Sequence, residues 1–366
     1  MQISKLSLHN FRNHKELDLS FPSGATTIVG RNGRGKTNIV EAVNYLATLG
    51  SHRVSQDAPL ILNGQNTASV SASVEKHNRQ AQVELVINYP GANKVSLNGN
   101  SLTRPRDILG LVTTVIFSPE DLELVKGDPS SRRRFIDELS TLLAPKFSNT
   151  RSDYERTLKQ RNTLLKSLGR RSPSQQARAT LDAWDEQLIT TGTEIIFTRL
   201  ENIKRIQPHV AEFGTNISGD TEPLELTYSN TWLLQNEPNR ETIAESFRTE
   251  LENRNKDEID RGITLVGPHR DDINIRLSEM PAKGYASHGQ SWSIAIALRL
   301  AGFKVLREHD DDPILILDDV FAELDERRRN RLISIISDVE QTLITAAVIE
   351  DIPNGLQSNQ LLLEDN

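Results

Sequence analysis

The chain has no cysteine. Disulfides and thiolate-held zinc or iron–sulfur sites are thereby excluded, and the composition fits a reducing compartment. Long apolar runs are missing too. None approaches the ~20 residues that cross a bilayer, and Met1-Gln2-Ile3-Ser4-Lys5-Leu6 lacks a signal-peptide pattern. A cytoplasmic protein is expected. Internal repeats and low-complexity tracts are absent as well. There is also no excess of positive charge: 43 Lys+Arg stand against 50 Asp+Glu, for a net −7. As a sum this argues against nucleic acid as a partner.

What is present suffices for a packed protein. With 366 residues, 36% hydrophobic and 25% charged, the chain has room for one large or two ordinary domains. Its charge is unevenly spread. Arg151, Arg156, Lys159, Arg161, Lys166, Arg170, Arg171 and Arg178 stand against Asp153 and Glu155, and Arg132-Arg133-Arg134 precede them. Such a stretch is either a solvated helix face or an anion-binding surface.

Gly30-Arg31-Asn32-Gly33-Arg34-Gly35-Lys36-Thr37 fits G-x-x-x-x-G-K-[ST] at every fixed position. Thr26 to Val29 reads as a short buried strand entering the loop, and Asn38 to Leu46 as a helix leaving it. Glycines let successive N–H groups turn inward onto phosphate oxygens, and the helix N-terminus adds its positive end. Lys36 can reach the β- and γ-phosphates, and the Thr37 hydroxyl can ligate Mg²⁺. Chance alone would produce the four fixed positions in about one chain in a hundred of this length. The strand–loop–helix context makes a nucleotide site the reading of choice.

The first third looks β-rich, with alternation at 3–8, 17–21 and 83–89, a buried strand at 111–117 and a hairpin around Asn98-Gly99. From about residue 128 the period changes. Asp128-Pro129-Ser130 starts a helix through Leu143, and Tyr154, Leu158, Leu165 and Leu168 mark the apolar face of the next. Arg170 to Ser174 breaks the pattern. Leu181, Trp184, Leu188, Ile195, Ile203, Ile206, Val210 and Phe213 then follow near a heptad. This predicts a helical hairpin with arms of about 25–30 residues, far short of an extended coiled coil. Strands return at 224–228 and 272–277, and the last hundred residues alternate helix and strand. The expected layout is a nucleotide-binding domain whose N-terminal part (1–125) and C-terminal part (256–366) flank a mainly α-helical insertion (126–255).

Pro313-Ile314-Leu315-Ile316-Leu317-Asp318-Asp319 runs a buried strand into paired carboxylates at the edge where α/β sheets hold ligands. Beside a P-loop, Asp318 is placed to hold Mg²⁺ and Asp319 to orient or deprotonate the attacking water. Ser287-His288-Gly289-Gln290 precedes an amphipathic helix and presents a hydroxyl and free N–H groups to an anion. Taken singly, this segment and Ala322-Glu323-Leu324-Asp325 are weak signals.

In this order and spacing the motifs resemble the heads of ABC-type ATPases, and the helical insertion resembles that of the SMC and Rad50 branch. Within that branch the chain is similar over nearly its whole length to the RecF family of bacterial recombination mediators. The similarity is carried by Asn10-Phe11-Arg12-Asn13, Gly33 to Glu41, Ser51-His52-Arg53, Phe117 to Leu122 and Gly127-Asp128-Pro129. It continues through Arg132 to Asp137, Gly267-Pro268-His269-Arg270-Asp271-Asp272 and Leu317 to Asp325.

The resemblance implies an α/β fold: an ABC-type, SMC/Rad50-like P-loop ATPase head with a mostly helical inserted arm domain. It implies ATP and Mg²⁺ as cofactors, with Arg12, Gly30 to Thr37 and Asn38 at the nucleotide, Thr37 and Asp318 on the metal, and Lys36, Asp318 and Asp319 in catalysis. It further implies an ATP-dependent homodimer in which Ser287, His288, Gly289 and Gln290 of one subunit cap the γ-phosphate held by the other. Glu323 and Asp325 would then lie at the subunit interface. Double-stranded and gapped DNA, RecO and RecR are the implied partners and RecA loading the outcome, with Arg53, Arg132, Arg133 and Arg134 as candidate DNA contacts. Asp319 stands where most ABC heads have glutamate, which implies slow hydrolysis suited to a switch. Ser-His-Gly-Gln-Ser-Trp-Ser lacks the second Gln and the Arg of many relatives, Ser118 to Asp121 occupies the place of the glutamine loop, and Thr345 that of a switch histidine. The motifs alone also admit a membrane-transporter ATPase subunit, which leaves the insertion and the basic stretch unexplained. An SMC-like structural tether is a third reading, against which the short arms speak.

Overall fold

The computed structural model describes residues 1–168, 174–219, 222–233, 237–309, 312–353 and 355–363. The chain divides into two compact units, one formed by 1–127, 206–225 and 276–366 and the other by 128–205 and 226–275. It opens with β1 (Gln2–Phe11), β2 (His14–Ser20), β3 (Gly24–Val29), α1 (Lys36–Thr48), β4 (Thr67–Lys76), β5 (Arg79–Asn88), β6 (Lys94–Leu97), β7 (Asn100–Ser101), β8 (Thr114–Phe117) and α2 (Leu122–Lys126). Next come α3 (Pro129–Leu143), α4 (Phe147–Leu168), α5 (Gln175–Ser218), β9 (Leu224–Ser229), α6 (Arg240–Arg261) and β10 (Asp272–Leu277). It ends with β11 (Met280–Pro281), α7 (Ala282–Tyr285), α8 (His288–His309), β12 (Ile314–Asp318), α9 (Glu326–Ile336), β13 (Gln341–Ala346) and β14 (Asn359–Leu362). Among the described residues no helix is long and apolar enough to cross a membrane.

Two sheets organise the first unit. Strands β2-β1-β4-β5-β6-β7 form an antiparallel sheet whose alternation buries Leu6, Leu8, Val70, Ala72, Val83 and Leu85. Its β6–β7 turn is the expected one, with φ of 51° at Asn98 and 78° at Gly99. Strands β14-β3-β13-β12-β8 form a parallel sheet. Every residue of β12 and β13 is buried, as continuous apolar runs in a sheet covered on both faces require. The carboxyl ends of β3, β8, β12 and β13 lie along one edge, so four separate stretches of sequence converge there.

The second unit packs Phe147, Tyr154, Leu188, Ile189, Ile195, Phe247, Leu251 and Val266 into one apolar cluster. A buried polar network runs through it. Arg161 donates to Glu258 at 2.7 Å and to Asp185 at 2.5 Å, and Arg199 to both oxygens of Asp137 at 2.8 and 2.9 Å. Breaking one partner of such pairs leaves an uncompensated buried charge. Gly267 to Asp272 is the knot of this network. Arg199 donates to Pro268 O at 2.7 Å, Tyr154 Oη lies 2.6 Å from His269 Nδ1, and Tyr228 donates to Asp271 at 2.5 Å. Burial holds His269 down to a pKa of about 4 and pushes Asp271 up to about 6.

Three helices differ from expectation. The arms have 22 residues in α4 and 44 in α5, against the predicted 25–30. The reason is that burial along α5 never lapses: Leu181, Leu188, Ile195, Ile203, Ile206, Val210, Phe213 and Ile217 are all buried, and the helix continues through Pro208. Helix α6 has no counterpart among the expected elements, since only Ile243, Phe247, Leu251 and Glu258 of its 22 residues are buried. The expected break at 170–174 lies, apart from Ser174, outside the described residues.

Candidate nucleotide site

β3 delivers the chain to Gly30, whose N–H donates to Ala346 O at 3.3 Å, at the end of β13. Gly33 and Gly35 take φ of 85° and 92°, a region that side chains resist. At Gly35 space excludes a side chain too: a Cβ would lie 2.5 Å from Asn13 Oδ1 and 2.7 Å from His14 Cε1. The loop is braced from the β1–β2 turn. His14 Nε2 lies 3.1 Å from Gly35 O, Asn13 donates to Gly33 O at 3.4 Å, and Asn38 donates to Asn13 Oδ1 at 2.7 Å. Burial holds the His14 pKa below the ordinary imidazole value.

Helix α1 begins at Lys36, two residues earlier than expected. Lys36 and Thr37 therefore sit in the first turn, where N–H groups are unpaired within the helix and the dipole is positive. Lys36 is buried, with Nζ 3.3 Å from Asn32 Oδ1. The Thr37 hydroxyl donates to Asp318 Oδ1 at 3.0 Å.

Strand β12 ends at Asp318, which is 2% exposed and stands in register with Thr345 of β13. That register explains the next contact. Thr345 Oγ1 donates to Asp318 Oδ1 at 2.6 Å and accepts from the Asp319 N–H at 2.9 Å. Asp319 holds φ at 52°, a left-handed conformation costly for a non-glycine residue and pinned here by the Thr345 hydroxyl. Burial pushes the Asp318 carboxyl up to about 6, with the charge of Asp319 adding to it and the bonds from Thr345 and Thr37 opposing. A buried carboxylate beside a threonine hydroxyl at a helix start is the hard-oxygen donor set that suits Mg²⁺. The residues fit the cation.

From β8, Ser118 to Asp121 turns back on itself: Ser118 N–H donates to Asp121 Oδ2 at 3.1 Å, and Arg299 of α8 donates to Asp121 Oδ1 at 2.6 Å. Ser287 and Gln290 form a reciprocal capping box at the start of α8. Ser287 N–H donates to Gln290 Oε1 at 2.9 Å, and Gln290 N–H to Ser287 Oγ at 3.2 Å. His288 Nδ1 lies 3.4 Å from Lys126 Nζ. Glu323 closes the short turn after β12, and Asp325 caps α9 by accepting from Arg328 N–H at 2.9 Å, which holds its pKa low.

Several expected contacts have other partners. Arg12, expected at the nucleotide, forms a bidentate pair with fully buried Glu41 at 2.6 and 2.8 Å and donates to Pro59 O at 3.0 Å. Ser51 also donates to Glu41, so the family-like Ser51-His52-Arg53 segment braces α1. Arg53 donates to Asn38 Oδ1 at 3.2 Å and pairs with Glu120 at 3.5 Å. Arg132, expected on a DNA surface, is instead buried and bidentate on Asp272 at 2.8 and 2.9 Å. Its guanidinium fixes the start of β10, which corrects that expectation. Arg133 donates to Asp271 O at 2.7 Å, and Arg134 pairs with Glu138 at 2.7 Å. Within the basic stretch Arg161 is fully buried, and Arg170 and Arg171 lie outside the described residues. The double role of Thr345 is the feature the sequence reading did not supply; its signal lies in the pairing of β12 with β13.

Fold and site together define a P-loop ATPase head of the ABC type, in its SMC branch. A family model described as RecF/RecN/SMC N terminal domain matches residues 2–355. The chain belongs to the RecF family. The DNA replication and repair protein RecF of Streptomyces avermitilis is 47% identical over 100% of this chain and 98% of its own length. That of Kineococcus radiotolerans is 48% identical over 98% of this chain and 95% of its own. A solved structure of the recombination mediator protein RecF with ATP, in the RecFOR pathway, superposes with a TM-score of 0.89 at 30% identity, covering 96% of this chain and 93% of its own. An SMC head bound to the C-terminal winged-helix domain of ScpA, at 17% identity and a TM-score of 0.53, shares the fold.

Proposed function

We propose that this chain is an ATP-dependent DNA-binding protein of recombinational repair and replication-gap processing, acting as an ATP-gated clamp. The observation that carries the nucleotide part is the Gly30–Thr37 loop tied to Asp318 through the Thr37 hydroxyl. The DNA part is supported by relatives named as DNA replication and repair proteins and by a neighbour named as a recombination mediator of the RecFOR pathway.

In this reading the loop amides and Lys36 hold the β- and γ-phosphates, and Thr37 and Asp318 hold Mg²⁺, which supplies charge neutralisation at the phosphates. Asp319 orients the attacking water from a backbone pinned by Thr345. Its side chain is one methylene shorter than glutamate, so hydrolysis is slow and the cycle works as a switch. Ser287, Gly289 and the N-terminus of α8 in a second copy cap the γ-phosphate, with Asp325 at the contact between copies. Dimer affinity then depends on the γ-phosphate. Arg53, Arg133 and Arg134 face DNA phosphates, and RecO and RecR join the complex to promote RecA loading.

Sedimentation velocity of the Asp319→Asn protein tests the switch. With saturating Mg-ATP it should sediment as a persistent dimer and without nucleotide as a monomer. A strictly monomeric protein that still binds ATP contradicts the reading.

A further inference from the structure

The segment Ser287-His288-Gly289-Gln290-Ser291-Trp292-Ser293 contains no lysine or arginine. Trp292 is 2% exposed, facing the core, and its indole N–H has no partner among the described residues. A helix N-terminus offers only about half a positive charge, far less than the charge of a γ-phosphate. A guanidinium nevertheless lies at this segment, delivered from another element.

Arg328, in the first turn of α9, donates from Nη1 to Asp325 Oδ2 at 2.5 Å and from Nε to Ser293 Oγ at 3.0 Å. Ser293 in turn donates to Gly289 O at 3.1 Å. The guanidinium covers Gly289: a Cβ there would stand 3.2 Å from both Nη1 and Nη2. Gly289 has no positive φ and lies within α8, so its backbone does not call for glycine. What a side chain there would meet is the cation. Nη2 makes no hydrogen bond among the described residues, and the side chain is 22% exposed, so one edge of the fork stays open to an anion. The planar fork is suited to phosphate.

We propose that Arg328 is the phosphate-contacting cation that this α8 N-terminus lacks. Its free edge binds the γ-phosphate of ATP held in the Gly30–Thr37 loop of a second copy. The assignment deepens the composite-site reading above and rests on it. Asp325, at the predicted contact between copies, then serves to aim Arg328.

The test uses the full chain. Arg328→Gln removes the charge together with the outer half of the side chain, and Arg328→Lys retains the charge at similar reach. Arg328→Gln should bind fluorescent ATP as wild type does, while the Asp319→Asn/Arg328→Gln protein dimerises at least tenfold more weakly with Mg-ATP than Asp319→Asn, and Asp319→Asn/Arg328→Lys recovers part of the loss. Arg328→Gln alone should hydrolyse ATP slowly, and mixing it with Lys36→Ala creates heterodimers in which one site joins an intact loop to an intact Arg328. Hydrolysis should return to about a quarter of the wild-type rate, since half the dimers are mixed and each has one working site of two. Ser287→Ala mixed with Lys36→Ala is the control for the composite site. If that control recovers and Arg328→Gln with Lys36→Ala does not, or if the double variant dimerises as well as Asp319→Asn, Arg328 is not the trans cation. Failure of both mixtures overturns the composite site, and this assignment with it.

Discussion

Thr345→Val probes the joint between the two carboxylates and the sheet. The valine matches threonine in shape, so the change removes a hydroxyl without opening a cavity. Two hydrogen bonds go with it: the 2.6 Å bond donated to Asp318 and the 2.9 Å bond accepted from the Asp319 N–H. A bond to a charged group contributes about 1.5–3 kcal/mol, and a stranded buried amide costs about 1–3 kcal/mol. Relaxation at half-buried Asp319 recovers part of this, which leaves a local loss of ~2–4 kcal/mol. Native-state hydrogen exchange at the β12 and β13 amides reads that loss directly. Hydrolysis should fall at least ~tenfold, since ~1.4 kcal/mol of misplacement is enough, because Asp319 loses the anchor of its left-handed turn. ATP affinity, carried by residues 30–37, should change little, and Thr345→Ser should preserve both readouts. Exchange protection within ~1 kcal/mol of wild type, together with full hydrolysis, would refute the role given to this hydroxyl.

Two further predictions concern the phosphate loop and the second unit. Gly35→Ala should abolish ATP binding in calorimetry, because its Cβ meets Asn13 and His14 at 2.5–2.7 Å and its φ is 92°. Gly33→Ala has open space and carries only the strain of φ 85°, ~1–2 kcal/mol, so it should bind more weakly without losing the site; equal losses would count against the bracing by the β1–β2 turn. His269 has its pKa lowered from 6.5 to about 4, so the folded state resists protonation and its stability contribution is lost as pH falls from 6.5 toward 4, by up to ~3 kcal/mol. Asp271, raised from 3.8 to about 6, works in the opposite direction over the same window. Chemical denaturation of His269→Gln against wild type should therefore show the variant gaining relative stability on acidification from pH 7 to 4.5. A difference that stays flat with pH would mean that His269 is not buried neutral.

What was legible in the sequence is what is local. The P-loop spacing, the apolar strand ending in Asp318-Asp319, the Asn98-Gly99 hairpin and the start of α3 at Pro129 each depend on neighbours a few residues apart. Long-range partners were not legible. Arg132 reads as a member of a basic triplet because nothing nearby announces Asp272, 140 positions on, with which it pairs. Thr345 draws its role from a register with Asp318 that exists only once β12 and β13 are side by side. Gly267 to Asp272 has no meaning as a string; its atoms hold Arg199, Tyr154 and Tyr228, which reach it from three other elements. Helix α6 escapes notice because a narrow buried stripe in a polar helix is a weak periodic signal.

In the proposed cycle, ATP in the Gly30–Thr37 loop gates the grip on DNA. Fluorescence anisotropy of a labelled gapped duplex tests it most directly, with wild type and Lys36→Ala, each with and without Mg-ATP. Tight binding is expected only for wild type with Mg-ATP, with an affinity that falls steeply with added salt because the contacts are to phosphates. Equal binding in all four samples would contradict it, since a basic surface would then hold DNA without reference to the nucleotide.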